Sequence, residues 1–139
     1  MKVAYLVDTD WVVHYLNGHR GIIEKLKSLR KEGLGISVVS LAELYEGVYY
    51  STNPVGNEEA LAEFLTGVSV LAIDEGICKV FGKERGRLRQ QRNMIGDIDL
   101  LIESSCLYRD AILLTNNRRH FQAVEGLKLL SIPSLKGQP

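Results

Sequence analysis

The chain has 139 residues, 45% of them hydrophobic and 24% charged, which suits one globular domain with a core of its own. Its apolar runs are far shorter than the roughly 20 residues of a membrane-spanning helix, so no membrane association is expected. Seventeen Lys and Arg balance seventeen Asp and Glu, so the strong basic excess usual in a nucleic-acid-binding domain is absent.

The N-terminal residues reach Asp8 without the long apolar region of a signal peptide, and Cys78 and Cys106 stand far apart with no CxxC pair. Both are expected to be buried thiols in a reducing cytoplasm, with no disulfide or zinc role. In chain order the pattern predicts a strand over 3–7, helices over 11–17 and 22–31, a strand over 34–37 and a helix over 41–50. A turn over 51–56 leads to a helix over 58–65 and a strand over 68–73. Helices over 75–91 and 99–108 follow, then strands over 111–114 and 127–130.

The first and fourth strands are continuous apolar runs, as in a parallel sheet buried on both faces. Strands alternating with helices predict an α/β fold: a single-domain, three-layer α/β/α sandwich with a mainly parallel sheet. The domain is expected to occupy residues 1–133, with 134–139 as a C-terminal tail. Ligands of open α/β sheets bind beyond the carboxyl ends of the strands. Asp8, Asp74 and the Thr115–Asn116–Asn117 run all follow predicted strands.

The acids draw attention because two of their motifs contain no base. Asp8 and Asp10 flank Thr9, and Asp97 and Asp99 flank Ile98. Clustered carboxylates repel one another unless a cation sits among them, and a hard divalent ion prefers oxygen ligands. Each also has an ordinary explanation, since Asp is a favoured helix cap. Asp10 is the expected cap of the first helix, leaving Asp8 free; one of Asp97 and Asp99 is expected to cap the helix after it. Glu43 shares a helical line with Ser40 and Gly47, apart from the apolar stripe of Leu41, Leu44, Tyr45 and Val48. Small neighbours suggest that this face meets another part of the chain or a ligand. Glu103 lies one turn beyond Asp99 and either joins a site or complements the helix dipole.

Asn116 and Asn117 are neutral oxygen donors for a cation or a water, or simple turn residues. His14, His19 and His120 show no metal-ligand spacing. Lys79, Lys83, Arg85, Arg87, Arg89 and Arg92 crowd one segment and Arg118, Arg119 and His120 another. These suit a phosphate backbone or a solvated helix face. Trp11 is read either as a base-stacking platform or as core.

Taken together, residues 5–10 (YLVDTD), 36–47 (ISVVSLAELYEG), 95–102 (IGDIDLLI) and 113–121 (LLTNNRRHF) resemble the PIN-domain nucleases, and among them the VapC-type toxins of toxin–antitoxin pairs. The resemblance implies that Asp8, Glu43 and Asp99 bind Mg2+ or Mn2+ and cut single-stranded RNA. It makes Asn117 the counterpart of a fourth position that is often acidic in that family, with Asp97 as a source of the missing charge. Glu103 departs from the small residue common at its position. Catalytic roles are thus expected for Asp8, Glu43, Asp99 and Asn117, and metal ligation for Asp8, Glu43, Asp97 and Asp99. The implied chemistry is hydrolysis by a metal-activated water, leaving 5′-phosphate and 3′-hydroxyl ends. The implied partners are an RNA substrate, a cognate antitoxin and a second copy of the chain, in the cytoplasm.

Other readings stay open in the sequence. Residues 8–12 (DTDWV) loosely match the nucleophile motif of haloacid-dehalogenase-like phosphatases or phosphotransferases. The same fold also serves housekeeping RNA-processing nucleases and non-catalytic binding modules.

Overall fold

Strand β1 (Tyr5–Val7) is central because its side chains are apolar on both faces: Leu6 joins one core cluster and Val7 the other. The computed structural model describes residues 2–121 and 124–132. Around β1 run β2 (Leu34–Ser37), β3 (Ser69–Leu71), β4 (Ile112–Leu114) and β5 (Leu129–Leu130). All pairings are parallel and the order is β3-β2-β1-β4-β5. Val7 is in register with Leu114, so the carboxyl ends of β1 and β4 lie side by side. The order reverses between these two strands, which opens a crevice at the point where doubly wound sheets bind ligands.

The helices are α1 (Thr9–Leu16), α2 (Arg20–Leu29), α3 (Val38–Tyr49), α4 (Pro54–Leu65), α5 (Glu75–Gln90), α6 (Asp97–Arg109) and α7 (Arg118–Phe121), with a 3-10 turn at Arg30–Glu32. Trp11, Val12, Ile22, Leu26, Leu44, Val48, Leu61 and Phe64 bring α1 to α4 onto the face that receives Val7 and Leu114. Ile102, Cys106 and Phe121 cover the opposite face against Leu6 and Leu113. Adjacent strand residues thus serve opposite layers, as the period of two requires. This is the three-layer sandwich that the sequence predicts.

Several boundaries differ from expectation. Helix α3 begins at Val38, capped by the Ser37 hydroxyl, which accepts from the Val39 amide. Helix α4 begins at Pro54, inside the expected turn, because Asn53 caps it and proline suits a first helical position. Cys106 is buried as expected, whereas Cys78 is exposed on α5; both are free thiols. The predicted tail, 134–139, lies outside the described residues. Among those residues, no helix is long and apolar enough to cross a membrane.

Candidate active site

Asp8 leaves the end of β1 and is 3% exposed. Its backbone is extended and it caps α1, one carboxylate oxygen accepting from the Thr9 amide at 2.9 Å. The expected cap, Asp10, instead lies within the first turn, because the helix already begins at Thr9. The other Asp8 oxygen accepts from the Thr115 hydroxyl at 2.7 Å, across the crevice from the end of β4. Asp10 accepts from the Asn116 amide at 3.1 Å and lies 3.5 Å from the same hydroxyl. Thr115 also accepts from the Asn117 amide at 3.0 Å, so one buried threonine ties both acids to the β4 loop.

Burial pushes the Asp8 carboxyl up to about 7; the Thr115 hydrogen bond opposes this, and the charges of Asp10 and Asp99 add to it. Burial also raises Asp10, against the pull of its Asn116 and Trp11 amide bonds. A carboxylate held dry among like charges is poised to accept a cation, which favours its charged form.

Glu43 reaches the same edge from α3, and its Oε1 accepts from the Thr9 hydroxyl at 2.8 Å. It is exposed, and a Cβ on Gly47 would meet nothing within 4 Å. The small residue beside it is therefore not demanded by packing. Ser40, on the same line, is buried with an unpartnered hydroxyl.

Asp99 comes from the first turn of α6, half-buried, with Oδ2 3.1 Å from His120 Nδ1. Neither Asp97 nor Asp99 caps that helix; Gly96 takes the cap position without a side-chain bond, and both acids sit in the first turn. Asp97 points outward at 82% side-chain exposure, paired with Arg85, which also donates to the Ile95 carbonyl at 3.0 Å. The first-turn position thus leaves its charge answered by an arginine rather than shared with Asp8.

The asparagines divide. Asn116 is committed to structure: its Oδ1 accepts from Trp11 Nε1 at 2.9 Å and from the Ile132 amide at 3.1 Å. Its amide nitrogen donates to the Ile132 carbonyl at 2.8 Å. Trp11 is fully buried, so it is core and not a stacking platform. Asn117 has an exposed side chain at the rim.

The charges nearest Glu103 are those of Glu84 and Arg87 on α5. This acid is fully buried, with neither oxygen hydrogen-bonded, and its carboxyl is pushed up to about 8 by burial and by Glu84, with Arg87 opposing. The basic segment is likewise divided. Arg85 and Arg87 are held by Asp97 and Glu84 at the α5–α6 junction, whereas Lys83, Arg89 and Arg92 are exposed. His19 caps α2 by accepting from the Ile22 amide, leaving the histidine pair of α1 and α2 in a structural role. A cleft lined by Asn93, Met94, Gly96, Asp99, Arg119 and His120 opens beside the acids.

Asp8 feels the charge of Asp99, and Glu43 is bonded to Thr9, the residue after Asp8, but among the described residues no three His, Cys, Asp or Glu side chains stand at ion-holding distance. Glu43 is drawn onto Thr9 and Asp99 onto His120. The set remains chemically suited to a hard divalent ion, with carboxylate oxygens from three elements and a buried anion among like charges.

The family model described as PIN domain matches residues 5–127. The chain belongs to the PIN-domain family. A PIN-domain relative, Ribonuclease VapC1 of Haemophilus influenzae (strain R2866), is 31% identical over 128 residues, 91% of this chain and 96% of the relative. The tRNA(fMet)-specific endonuclease VapC of Shigella flexneri is 27% identical over 126 residues, with 91% and 96% coverage. Among solved structures, VapBC2 from Rickettsia felis bound to a DNA fragment from their promoter is similar at a TM-score of 0.87. It is 31% identical and covers 92% of this chain and 98% of that one. The PIN match takes in all four sequence motifs, so the phosphatase-like reading of residues 8–12 has no support.

The sequence missed two site residues. Thr115 carried a signal in its place directly after a buried strand. His120 was visible only as part of the basic cluster with Arg118 and Arg119, because its partner Asp99 lies 21 positions away.

Proposed function

We propose that this PIN-domain protein is a metal-dependent endoribonuclease that hydrolyses phosphodiester bonds in single-stranded regions of RNA, and that it is the toxin of a toxin–antitoxin pair. The observation that carries the reading is the buried Asp8 carboxylate at the switch point of the sheet, with Glu43 and Asp99 brought to its edge from α3 and α6. Asp8, Glu43 and Asp99 would hold Mg2+ or Mn2+; Asp97 joins them only by releasing Arg85, and Asn117 offers a neutral oxygen at the rim. When bound, such an ion polarises the phosphate and supplies a nucleophilic water at neutral pH. Thr115 fixes the orientation of the Asp8 carboxylate, and the Thr9 hydroxyl holds Glu43 at the site's edge. Arg119 lines the cleft beside Asp99, where a phosphate backbone passing the acids would meet it.

The relatives named above support RNA as substrate, and the VapBC2 structure supports a cognate antitoxin as partner. Exposed Val38, Tyr49 and Tyr50 around α3 offer an apolar surface for the antitoxin or a second copy of the chain. A cytoplasmic location suits an RNA substrate and free cysteines.

The test is incubation of the purified chain with tRNA and rRNA fragments in Mg2+ or Mn2+, in excess EDTA, and as Asp8→Asn. Cleavage leaving 5′-phosphate ends is expected, lost in EDTA. In Asp8→Asn it should fall by at least the roughly 10–100-fold that follows loss of a group supporting a metal site. Cleavage that survives both controls, or 2′,3′-cyclic ends, rejects the metal route.

A further inference from the structure

Met94, in the loop between α5 and α6, is 84% exposed, yet the loop that carries it is firmly held. The Asn93 amide donates to the Leu88 carbonyl at 2.9 Å. On the other side Ile95 is buried in the core, and its carbonyl accepts from Arg85 Nη1 at 3.0 Å. Arg92 has a left-handed backbone, φ 58°, which a residue with a Cβ keeps only where its surroundings impose it. Met94 is thus presented to solvent between two anchors.

Its side chain forms one wall of a cleft of about 340 Å³, which Asn93, Asp99 and Arg119 also line. That volume lies at the lower end of ordinary ligand sites. Three chemistries meet there: a polarizable apolar face at Met94, an amide donor and acceptor at Asn93, and a guanidinium at Arg119. They match the face of a base, its edge and a phosphate. Asp99 sets the cleft directly against the acids.

We propose that this cleft is a nucleotide subsite, in which an unpaired base lies against Met94 with Asn93 at its edge and Arg119 takes the adjoining phosphate. The inference rests on the reading of the acids as a ribonuclease centre and specifies how that centre takes single-stranded RNA. A base reaches the cleft only by leaving its stack and its pairing partner, which a single strand allows and a duplex resists. A thioether packs on a base face as it does on an aromatic ring, and a purine offers the larger face. Arg119 adds charge without reading sequence.

The first experiment is a nuclear magnetic resonance titration of the full 15N-labelled chain in EDTA with AMP, GMP, CMP, UMP and inorganic phosphate. It is run on the parent, Met94→Ala and Arg119→Gln. Expected are shifts at Asn93, Met94 and Arg119 that are larger for the nucleotides than for phosphate, with purines bound tighter. Met94→Ala should weaken the nucleotides roughly 2–10-fold and leave phosphate unchanged. Arg119→Gln should weaken both and lower the salt dependence by about one charge. In the second experiment the parent and Met94→Ala cut random-sequence single-stranded RNA in Mn2+, and the ends are sequenced. Purines should be enriched beside the cut, and Met94→Ala should lose that enrichment. Nucleotide shifts no larger than those of phosphate, or Met94→Ala binding like the parent, overturn the subsite. RNA cleavage with no purine enrichment, or with one that Met94→Ala keeps, overturns it too and leaves the ribonuclease reading standing. Nucleotides bound in the cleft with no RNA cut overturn the ribonuclease reading and leave the nucleotide site.

Discussion

At the scale of single residues, Asp8 and Glu103, the two acids buried among the described residues, have environments that differ in kind. Asp8 is dry but hydrogen-bonded by Thr115 and the Thr9 amide. Glu103 is dry and has no hydrogen bond to either oxygen. Its carboxyl is pushed from an ordinary 4.5 up to about 8. The folded chain therefore keeps a proton that the unfolded chain releases above about pH 4.5. Stability contributed by this group falls as pH rises from there to about 8, then levels. Glu103→Gln keeps the shape and removes the charge, so it should melt higher than the parent at pH 8, by about 4 °C for each kcal/mol recovered. The difference should shrink toward pH 5. Thermal melts across that range check it, and a variant melting lower at pH 8 would show that Arg87 makes the charged form a net asset.

At the scale of elements, the connections that set strand register use backbone geometry that only certain residues adopt. Gly33 leads into β2 with φ +100°, and a Cβ there would stand 2.3 Å from the Lys2 carbonyl oxygen. Its own carbonyl accepts from the Ala4 and Tyr5 amides at the start of β1. Gly33→Ala should therefore destabilise by more than about 1 kcal/mol and lower the melting temperature by at least about 4 °C. An unchanged midpoint would mean that the 3-10 turn and β1 part without cost. The same scale explains the misplaced caps. Asp10 and Asp97 have the right composition for caps, but a cap is defined by where the backbone turns extended, and that falls at Asp8 and Gly96. Position 8 is therefore both cap and site, while Asp97 is left on the surface with Arg85.

At the scale of the whole molecule, the proposed cation would relieve the repulsion between Asp8 and its acidic neighbours Asp10 and Asp99. An ion at a hundred times its dissociation constant adds roughly 2.7 kcal/mol to stability. The melting temperature should rise by several degrees on adding Mn2+ and return in EDTA. Asp8→Asn removes the buried charge, so it should melt above the parent in EDTA at pH 8 and respond little to Mn2+. Differential scanning calorimetry of both proteins decides it; an equal Mn2+ shift in Asp8→Asn would place the ion away from Asp8.

Hydrophobic periodicity and strand–helix alternation are local properties, so the sequence alone determined the five strands, the two-faced central sheet and the three layers. The resemblance of four short motifs to the PIN-domain family, more than spacing itself, is what pointed to Asp8, Glu43 and Asp99. Which groups those acids face was decided only by the tertiary structure, because the partners lie far apart along the chain. Thr115 is 107 positions from Asp8, and Asn116 is 105 from the Trp11 it secures. Burial decided the rest: Glu103 and Asp97 look alike in sequence, yet one is sealed between helices with its proton retained and the other is solvated beside an arginine. The charge a carboxyl carries depends on the water and the charges around it, and those are set by distant segments brought together in the fold.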